Sequence, residues 1–206
     1  HFFHPDKMGF GSLRVLNDDE VAPRKGFGKH PHDNMEIISI PLEGALLHED
    51  SMGHQSVIQK GEVQVMSAGK GIMHSEFNQS GDEPVKFLQI WIYPESRDVG
   101  PRYDQKQFEA QYFKDQFYTV VEPMGGEGLG IHQQAWLSIA KADDPQAITY
   151  DLHKDGNGVF LMMLEGAAAI DDQHLGRRDA VGIWDAGNFT ANCEAGTTCL
   201  AVEVPV

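Results

Sequence analysis

Two pairs of potential metal ligands have the clearest chemical meaning in this sequence. His30 and His32 lie one residue apart in the segment GFGKHPHDN, between a glycine-rich start and an Asp-Asn turn. Side chains alternate faces along a strand, so both imidazoles point to the same side, about 6.5 Å apart along the chain. Residues two apart on a helix do not face each other. The pair is therefore predicted to aim two ligands at one point from a short strand.

The second pair, His74 and Glu76, has the same spacing in the segment SAGKGIMHSEFN. It combines an imidazole nitrogen with a carboxylate oxygen. Three imidazoles and one carboxylate suit a divalent Fe, Mn, Co, Ni, Cu or Zn ion. We therefore predict that His30, His32, His74 and Glu76 bind one metal ion and leave one or two positions on it open.

Glu36 is an alternative source of the carboxylate ligand. It has the same strand parity as His32, but four extended residues span about 13 Å, which is too far for a shared metal. Only a bend at Asp33-Asn34 could bring Glu36 to the ion, whereas Glu76 needs no bend. Glu36 is therefore predicted to support the ligands or to be structural.

The remaining histidines offer weaker candidates for metal binding. His48, in a strand ending HED, and His54, in the turn SMGHQ, are predicted to be exposed to solvent. His132, His153 and His174 have no second donor at ligand spacing. Metal binding is therefore expected only in the first half of the chain.

Short strands are the elements that must position these ligands. The 22 glycines and 10 prolines separate short apolar runs, a pattern typical of antiparallel sandwiches and barrels. One short helix is predicted over 101–113, where Pro101 precedes several helix formers. The predicted strands cover residues 12–16, 35–40, 44–50, 62–67, 85–93, 117–122, 135–142, 159–166, 167–171 and 199–204.

One pattern occurs twice in the chain. IPLEGALLHED at 40–50 and MMLEGAAAIDD at 162–172 share an apolar start, Leu-Glu-Gly and a strand ending in acids. Chance similarity of turn chemistry is the alternative, but each copy is followed at a similar distance by a glycine turn and a strand. The sequence thus predicts an all-β protein with two β-barrels in tandem, over 1–115 and 116–206. The second barrel lacks a His-X-His segment and is expected to bind no metal in this way.

Bulk properties narrow the classes of function. The 206 residues include 31 acidic and 16 basic side chains, for a formal charge of -15. Such a surface repels phosphate backbones, so direct nucleic-acid binding is not expected. No apolar run is long enough for a membrane helix, and residues 1–10 do not resemble a secretory signal. Cys193 and Cys199 are expected to be reduced thiols, which favours a cytoplasmic protein.

Four segments carry a resemblance to known proteins, namely GFGKHPHDNMEIISIPLEG, HEDSMG, KGEVQVMSAGKGIMHSEFN and LQIWIYP. They resemble the pirin family of the cupin superfamily, in particular its bacterial members described as quercetin 2,3-dioxygenases. The resemblance implies a bicupin whose first barrel binds one metal, usually iron(II), through His30, His32, His74 and Glu76. Family members usually begin with a further segment, so the front of this chain is expected to be trimmed.

The resemblance leads to a metal-dependent dioxygenase that opens the central ring of a flavonol such as quercetin with O2. Three neutral imidazoles, one carboxylate and a divalent ion sum to a charge of about +1, which suits a flavonol monoanion. Glu76 is the predicted catalytic proton acceptor, and the pocket candidates are Phe10, Phe27, Phe77 and Gln89. The alternatives are a metal-containing regulator that acts through a protein partner and, more weakly, an isomerase or decarboxylase.

Overall fold

The computed structural model describes residues 9–206, which divide into two compact units. The first unit comprises Gly9, Leu13–Phe108 and Leu129–Gln133, and the second comprises Phe10–Ser12, Glu109–Gly128 and Gln134–Val206. Each unit therefore contains a short segment from outside its main stretch of chain. No helix in this part of the chain is long and apolar enough to cross a membrane.

Strands make up most of the described chain, as the sequence predicts. In order they are β1 Leu13–Val21, β2 Gly26–His32, β3 Glu36–Glu43, β4 Ala45–Asp50, β5 Gln55–Gln59, β6 Glu62–Ser67, β7 Ile72–Asn78, β8 Val85–Ile92, β9 Arg102–Gln107, β10 Tyr118–Pro123, β11 Leu129–Ile131, β12 Trp136–Ala142, β13 Gln146–Asp151, β14 Asn157–Glu165, β15 Ala168–Ile170, β16 Gln173–Leu175, β17 Ala180–Ile183, β18 Asn188–Cys193 and β19 Thr197–Pro205.

The first unit contains two antiparallel sheets. One has the strand order β1-β8-β3-β6-β9, and the other has the order β2-β7-β4-β5. Their apolar faces meet in a buried cluster in which Leu46 and Ile58 of the second sheet join Val21, Val85 and Phe87 of the first. This packing fixes the ligand-bearing strands β2 and β7 against β3 and β8, which supply polar side chains to the site.

The second unit repeats the two-sheet arrangement with different core residues. Its larger sheet includes the order β10-β12-β19-β14-β17, and its smaller sheet has the order β13-β18-β15-β16. Tyr150 is buried between Phe117 and Phe189, with ring centroids 5.1 and 5.4 Å away. Cys193 and Cys199 are both buried and are not joined by a disulfide.

The two Leu-Glu-Gly segments occupy equivalent turns. In the first copy β3 ends at Glu43 and β4 begins after Gly44, whose φ is +75°. In the second copy β14 ends at Glu165, and the chain turns at Gly166 with a φ of +71°. A positive φ favours glycine because the Cβ of other residues clashes with the backbone in this conformation. The sequence repeat therefore corresponds to a repeated strand-turn-strand geometry.

The helix predicted over 101–113 is wrong. Residues 102–107 form β9, which pairs with β6, and only Ala110–Phe113 form one turn of 3-10 helix. Pairing with a neighbouring strand overrides the weak helix propensity of this segment. The predicted closed barrels are also not seen in residues 9–206, because the first and last strands of each sheet are not hydrogen-bonded to each other.

Candidate metal centre

Pairing of β2 with β7 brings three of the four predicted ligands together. His30 lies directly opposite His74, after an irregularity in the ladder between Phe27 and His30. The ring centroids are 4.4 Å apart for His30 and His74, 4.8 Å for His30 and His32, and 4.9 Å for His32 and His74. Each ring offers a nitrogen within 4.8 Å of the other two. The three imidazoles thus converge on one point.

The ring nitrogens are available for a metal ion. His74 is 1% exposed, and neither of its ring nitrogens has a hydrogen-bond partner among residues 9–206. His30 donates from Nδ1 to the carbonyl oxygen of Gly28 at 2.7 Å, which leaves the lone pair on Nε2 free to coordinate. Buried polar atoms normally have partners, so unpartnered nitrogens at the centre of three imidazoles fit a metal site.

The site keeps two of its imidazoles neutral, as metal binding requires. Burial and the neighbouring His30 lower the pKa of His32 to about 4. Burial, followed by the charges of His30 and His32, lowers the pKa of His74 to about 3. Both rings are therefore unprotonated at neutral pH, and their lone pairs do not have to be released by loss of a proton.

Glu76 is held beside these rings by donors from the opposite sheet. It is 1% exposed, accepts a hydrogen bond from Ser39 Oγ at 3.1 Å on one oxygen, and accepts a short one from Gln89 Nε2 on the other. Burial raises its pKa, and the two hydrogen bonds partly offset that effect. Its carboxylate falls within 4.8 Å of donor atoms of His74 and His48, in a group that does not include His30 or His32.

His48 is the residue that sequence reasoning placed wrongly. It is fully buried rather than exposed, and lies directly opposite Glu76 in the pairing of β4 with β7. Its ring centroid is 5.3 Å from that of His74. The acidic sequence HED suggested solvent, but strand alternation turns His48 inward while Glu49 faces outward. The exposure predicted for His54 is confirmed, since 42% of its side chain is accessible.

Glu36 lies outside both groups of potential ligands. It is fully buried on β3 and accepts a hydrogen bond from Ser67 Oγ on β6 at 2.7 Å. Burial raises its pKa, an effect that the bond from Ser67 partly offsets. Its position within one sheet suits a structural role.

The predicted pocket residues separate into different environments. Gln89 is buried at the site, and its amide oxygen lies 3.3 Å from Trp91 Nε1, while the Trp91 ring packs edge-on against His32 with centroids 5.0 Å apart. Phe27 and Phe77 are 42% and 37% exposed on β2 and β7. Phe10 belongs to the second unit, where it packs against Phe160 and Trp184.

Comparison with known proteins agrees with this geometry. The family profile described as Pirin matches residues 1–92, and the profile described as Quercetinase C-terminal cupin domain matches residues 119–204. A protein of Escherichia coli named quercetin 2,3-dioxygenase is 36% identical over 207 residues, an alignment that covers all of this chain and 87% of that protein. The chain belongs to the pirin family.

Two further pirin relatives extend the comparison. A pirin-like protein of Caulobacter vibrioides is 37% identical over 92% of this chain and 82% of its own length. The solved structure of bacterial pirin YhhW from Escherichia coli, in complex with nickel(II), superposes with a TM-score of 0.90 and 33% identity. It covers 98% of this chain and 86% of that chain. Metal binding thus occurs in a pirin of the same fold.

Proposed function

We propose that this pirin is a metal-dependent dioxygenase that cleaves flavonols such as quercetin with O2. The observation that carries the proposal is the convergence of three imidazoles, two of which have pKa values lowered to about 4 and 3, on one point beside a buried carboxylate. The name of the Escherichia coli relative, quercetin 2,3-dioxygenase, supports the same substrate class.

The proposed ligands are His30, His32, His74 and Glu76. Iron(II) is our first choice of metal because the resemblance to the pirin family implies it, and Mn, Co, Ni, Cu and Zn suit the same donors. When bound, the divalent ion would supply Lewis-acid stabilisation of the flavonol 3-oxygen and would orient the flavonol for reaction with O2. The remaining chemistry is carried by side chains of the chain itself.

Glu76 is the proposed acceptor of the proton from the flavonol 3-hydroxyl. Burial disfavours its charged form, so taking up a proton relieves the cost of an isolated buried anion. Ser39 and Gln89 hold its two oxygens in place, and Trp91 in turn contacts the amide of Gln89. These contacts fix the carboxylate before substrate arrives, and a positioned group needs less reorganisation during the reaction.

The proposal divides labour between the two halves of the chain. We assign metal binding to a cupin domain over 1–115 and a degenerate, metal-free cupin domain to 116–206. The two sheets of each unit and the match of the quercetinase C-terminal cupin profile to residues 119–204 support this assignment. Among the described residues, both groups of potential metal ligands lie in the first unit.

The test is an anaerobic mixture of quercetin with protein loaded separately with iron, manganese, cobalt, nickel and copper, followed by exposure to oxygen. We expect loss of the flavonol absorbance, a phenolic ester product and release of carbon monoxide. His74→Gln should lower the turnover rate by at least about 100-fold because it removes a proposed ligand. His174→Gln is the matched control, since this exposed histidine lies in the second unit.

Absence of quercetin cleavage with all five metals would refute the proposed dioxygenase activity. If the same preparations nevertheless retain metal, the regulator that acts through a protein partner becomes the better account of the site. Capture experiments that compare metal-loaded protein with His74→Gln would then identify a partner whose binding depends on the metal.

A further inference from the structure

A buried carboxylate in the second unit has an unusually complete set of donors. Glu203 on β19 is fully buried, and one of its oxygens accepts from Tyr150 Oη at 2.9 Å, from the His153 backbone N–H at 3.0 Å and from His153 Nδ1 at 2.9 Å. The other oxygen accepts from the Lys154 backbone N–H at 3.1 Å and from Asn157 Nδ2 at 3.0 Å. Burial would raise its pKa, but these hydrogen bonds outweigh burial and hold the pKa below its usual value.

The ionised carboxylate fixes the tautomer of His153. A carboxylate can only accept hydrogen bonds, so the proton of the neutral imidazole lies on Nδ1 and the lone pair lies on Nε2. The Trp136 ring lies parallel to the imidazole, with centroids 5.1 Å apart and planes 7° apart, and so fixes its orientation. One third of the His153 side chain is exposed, which leaves the ring open to a ligand.

The free nitrogen of His153 faces a hydroxyl group. His153 Nε2 lies 3.4 Å from Thr119 Oγ1 on β10, which in turn lies 3.0 Å from Ser138 Oγ on β12. A hydroxyl next to an imidazole that is held by a buried carboxylate is the arrangement that activates a hydroxyl nucleophile. Such contacts are often long without substrate and shorten when it binds.

We propose that Thr119, His153 and Glu203 form a second reactive centre that transfers acyl groups from activated esters. Thr119 and His153 are the catalytic residues, and Glu203 is a positioning residue. The proposal concerns only groups of the second unit and needs neither the metal centre nor flavonol cleavage. Its substrate class is an ester with a good leaving group, such as an aryl ester.

The reaction proceeds in two balanced steps. Thr119 Oγ attacks the ester carbonyl while its proton moves to His153 Nε2. The bond to the leaving oxygen breaks, and that oxygen takes the proton from His153 as the alcohol or phenol departs. Water then attacks the acyl-threonine while His153 Nε2 accepts a proton from it. The bond between the acyl carbon and Thr119 Oγ breaks, and Oγ takes that proton from His153, which releases the carboxylic acid and regenerates both side chains. Glu203 stabilises the imidazolium that forms in each step.

The experiment uses p-nitrophenyl acetate as substrate for the full chain. The protein is first treated with a chelator to remove any metal that could itself hydrolyse the ester. We expect release of p-nitrophenol and, after acid quenching, an acetyl group on Thr119 by peptide mass spectrometry. Thr119→Val and His153→Asn should each lower the rate by at least about 100-fold, the usual contribution of general-base catalysis. Thr119→Ser should retain the adduct at position 119.

The control for a threonine hydroxyl without a base is Thr149→Val. Thr149 Oγ1 lies 2.9 Å from Thr190 Oγ1 on an exposed part of the second unit, and its replacement should leave the rate unchanged. Glu203→Gln should lower the acylation rate with little change in KM, whereas a merely structural residue would shift the unfolding transition alone. Absence of an adduct on Thr119, or equal rates for wild type and Thr119→Val, would overturn the proposal.

Discussion

His74 and His153 are two histidines beside buried carboxylates, one in each unit, and they differ in how their nitrogens are used. Neither ring nitrogen of His74 has a hydrogen-bond partner within residues 9–206, and its pKa falls to about 3. His153 instead donates from Nδ1 to Glu203. Unpartnered nitrogens indicate a place prepared for an added ion, whereas a partnered nitrogen indicates a ring held for proton transfer.

The carboxylates differ in the same sense. Glu76 accepts hydrogen bonds from two side chains, and burial raises its pKa. Glu203 accepts five hydrogen bonds, two of them from backbone N–H groups, and its pKa is lowered. Glu76 therefore needs a cation or a proton to complete its surroundings, while Glu203 is already a stable anion.

The largest expected effect is loss of metal from the first unit. His74→Gln should reduce the metal content of purified protein to below about a tenth of wild type because it removes a ligand. His153→Gln should retain full metal content. Elemental analysis of both variants after purification without added metal provides the measurement. Equal metal loss in the two variants would remove the distinction between the histidines.

The next largest effect is on stability, and here the change in the second unit should have the greater effect. Glu203→Ala leaves several buried donors without an acceptor, so the free energy of unfolding should fall by about 3–5 kcal/mol. Glu76→Gln should cost less than about 2 kcal/mol, because an amide oxygen can still accept one of its two hydrogen bonds. Urea unfolding of chelated protein measures both values. A greater loss for Glu76→Gln would contradict the comparison.

Gln89 tests the support of Glu76 more finely. Gln89→Leu removes the donor to one carboxylate oxygen and should weaken metal affinity by about 10–100-fold, as changes next to ligands do. Trp91→Phe removes only the contact from Nε1 to Gln89 and should have a smaller effect. Competition with a metal indicator measures both affinities. Unchanged affinity in Gln89→Leu would show that Glu76 does not need this donor.

Acid should destabilise the first unit before it affects the anion of the second. The pKa values of His32 and His74 rise on unfolding from about 4 and 3 towards 6.5, so the unfolded chain binds more protons in this window. The contribution of these two histidines to the unfolding free energy of chelated protein should therefore decrease as pH falls below about 6.5, whereas the raised pKa values of Glu36 and Glu76 act in the opposite direction. The stability that the ionised Glu203 contributes, through its lowered pKa, is lost only as pH falls below 4.5. A pH series of urea unfolding should give a shallower dependence for His74→Gln, and identical slopes would contradict this account.

The smallest effect concerns the repeated glycine turns. Alanine at Gly44 or Gly166 would adopt a positive φ, which alone should cost about 1 kcal/mol at either position. Gly166→Ala should cost more, because its Cβ would lie 2.7 Å from Thr197 Cα, whereas the nearest atom to a Cβ at Gly44 is 3.2 Å away. Urea unfolding at constant pH compares the two. Equal losses would show that the close approach at Gly166 relaxes.

Much of the all-β architecture and the three converging imidazoles could be predicted from local sequence. Alternation along a strand places His30 and His32 on one side without knowledge of any distant residue. His48 could not be placed in this way, because its burial depends on the pairing of β4 with β7. Thr119 and Glu203 are far apart in the chain, so their approach to His153 required tertiary structure.

The hydrogen bonds from Ser39 and Gln89 to Glu76 join the two sheets of the first unit beside His74. Any motion that separates these two sheets also moves the carboxylate away from the histidines. Escape of a bound ion is thereby coupled to loosening of the unit's interior, so the residence time of the metal should report on how tightly the two layers adhere.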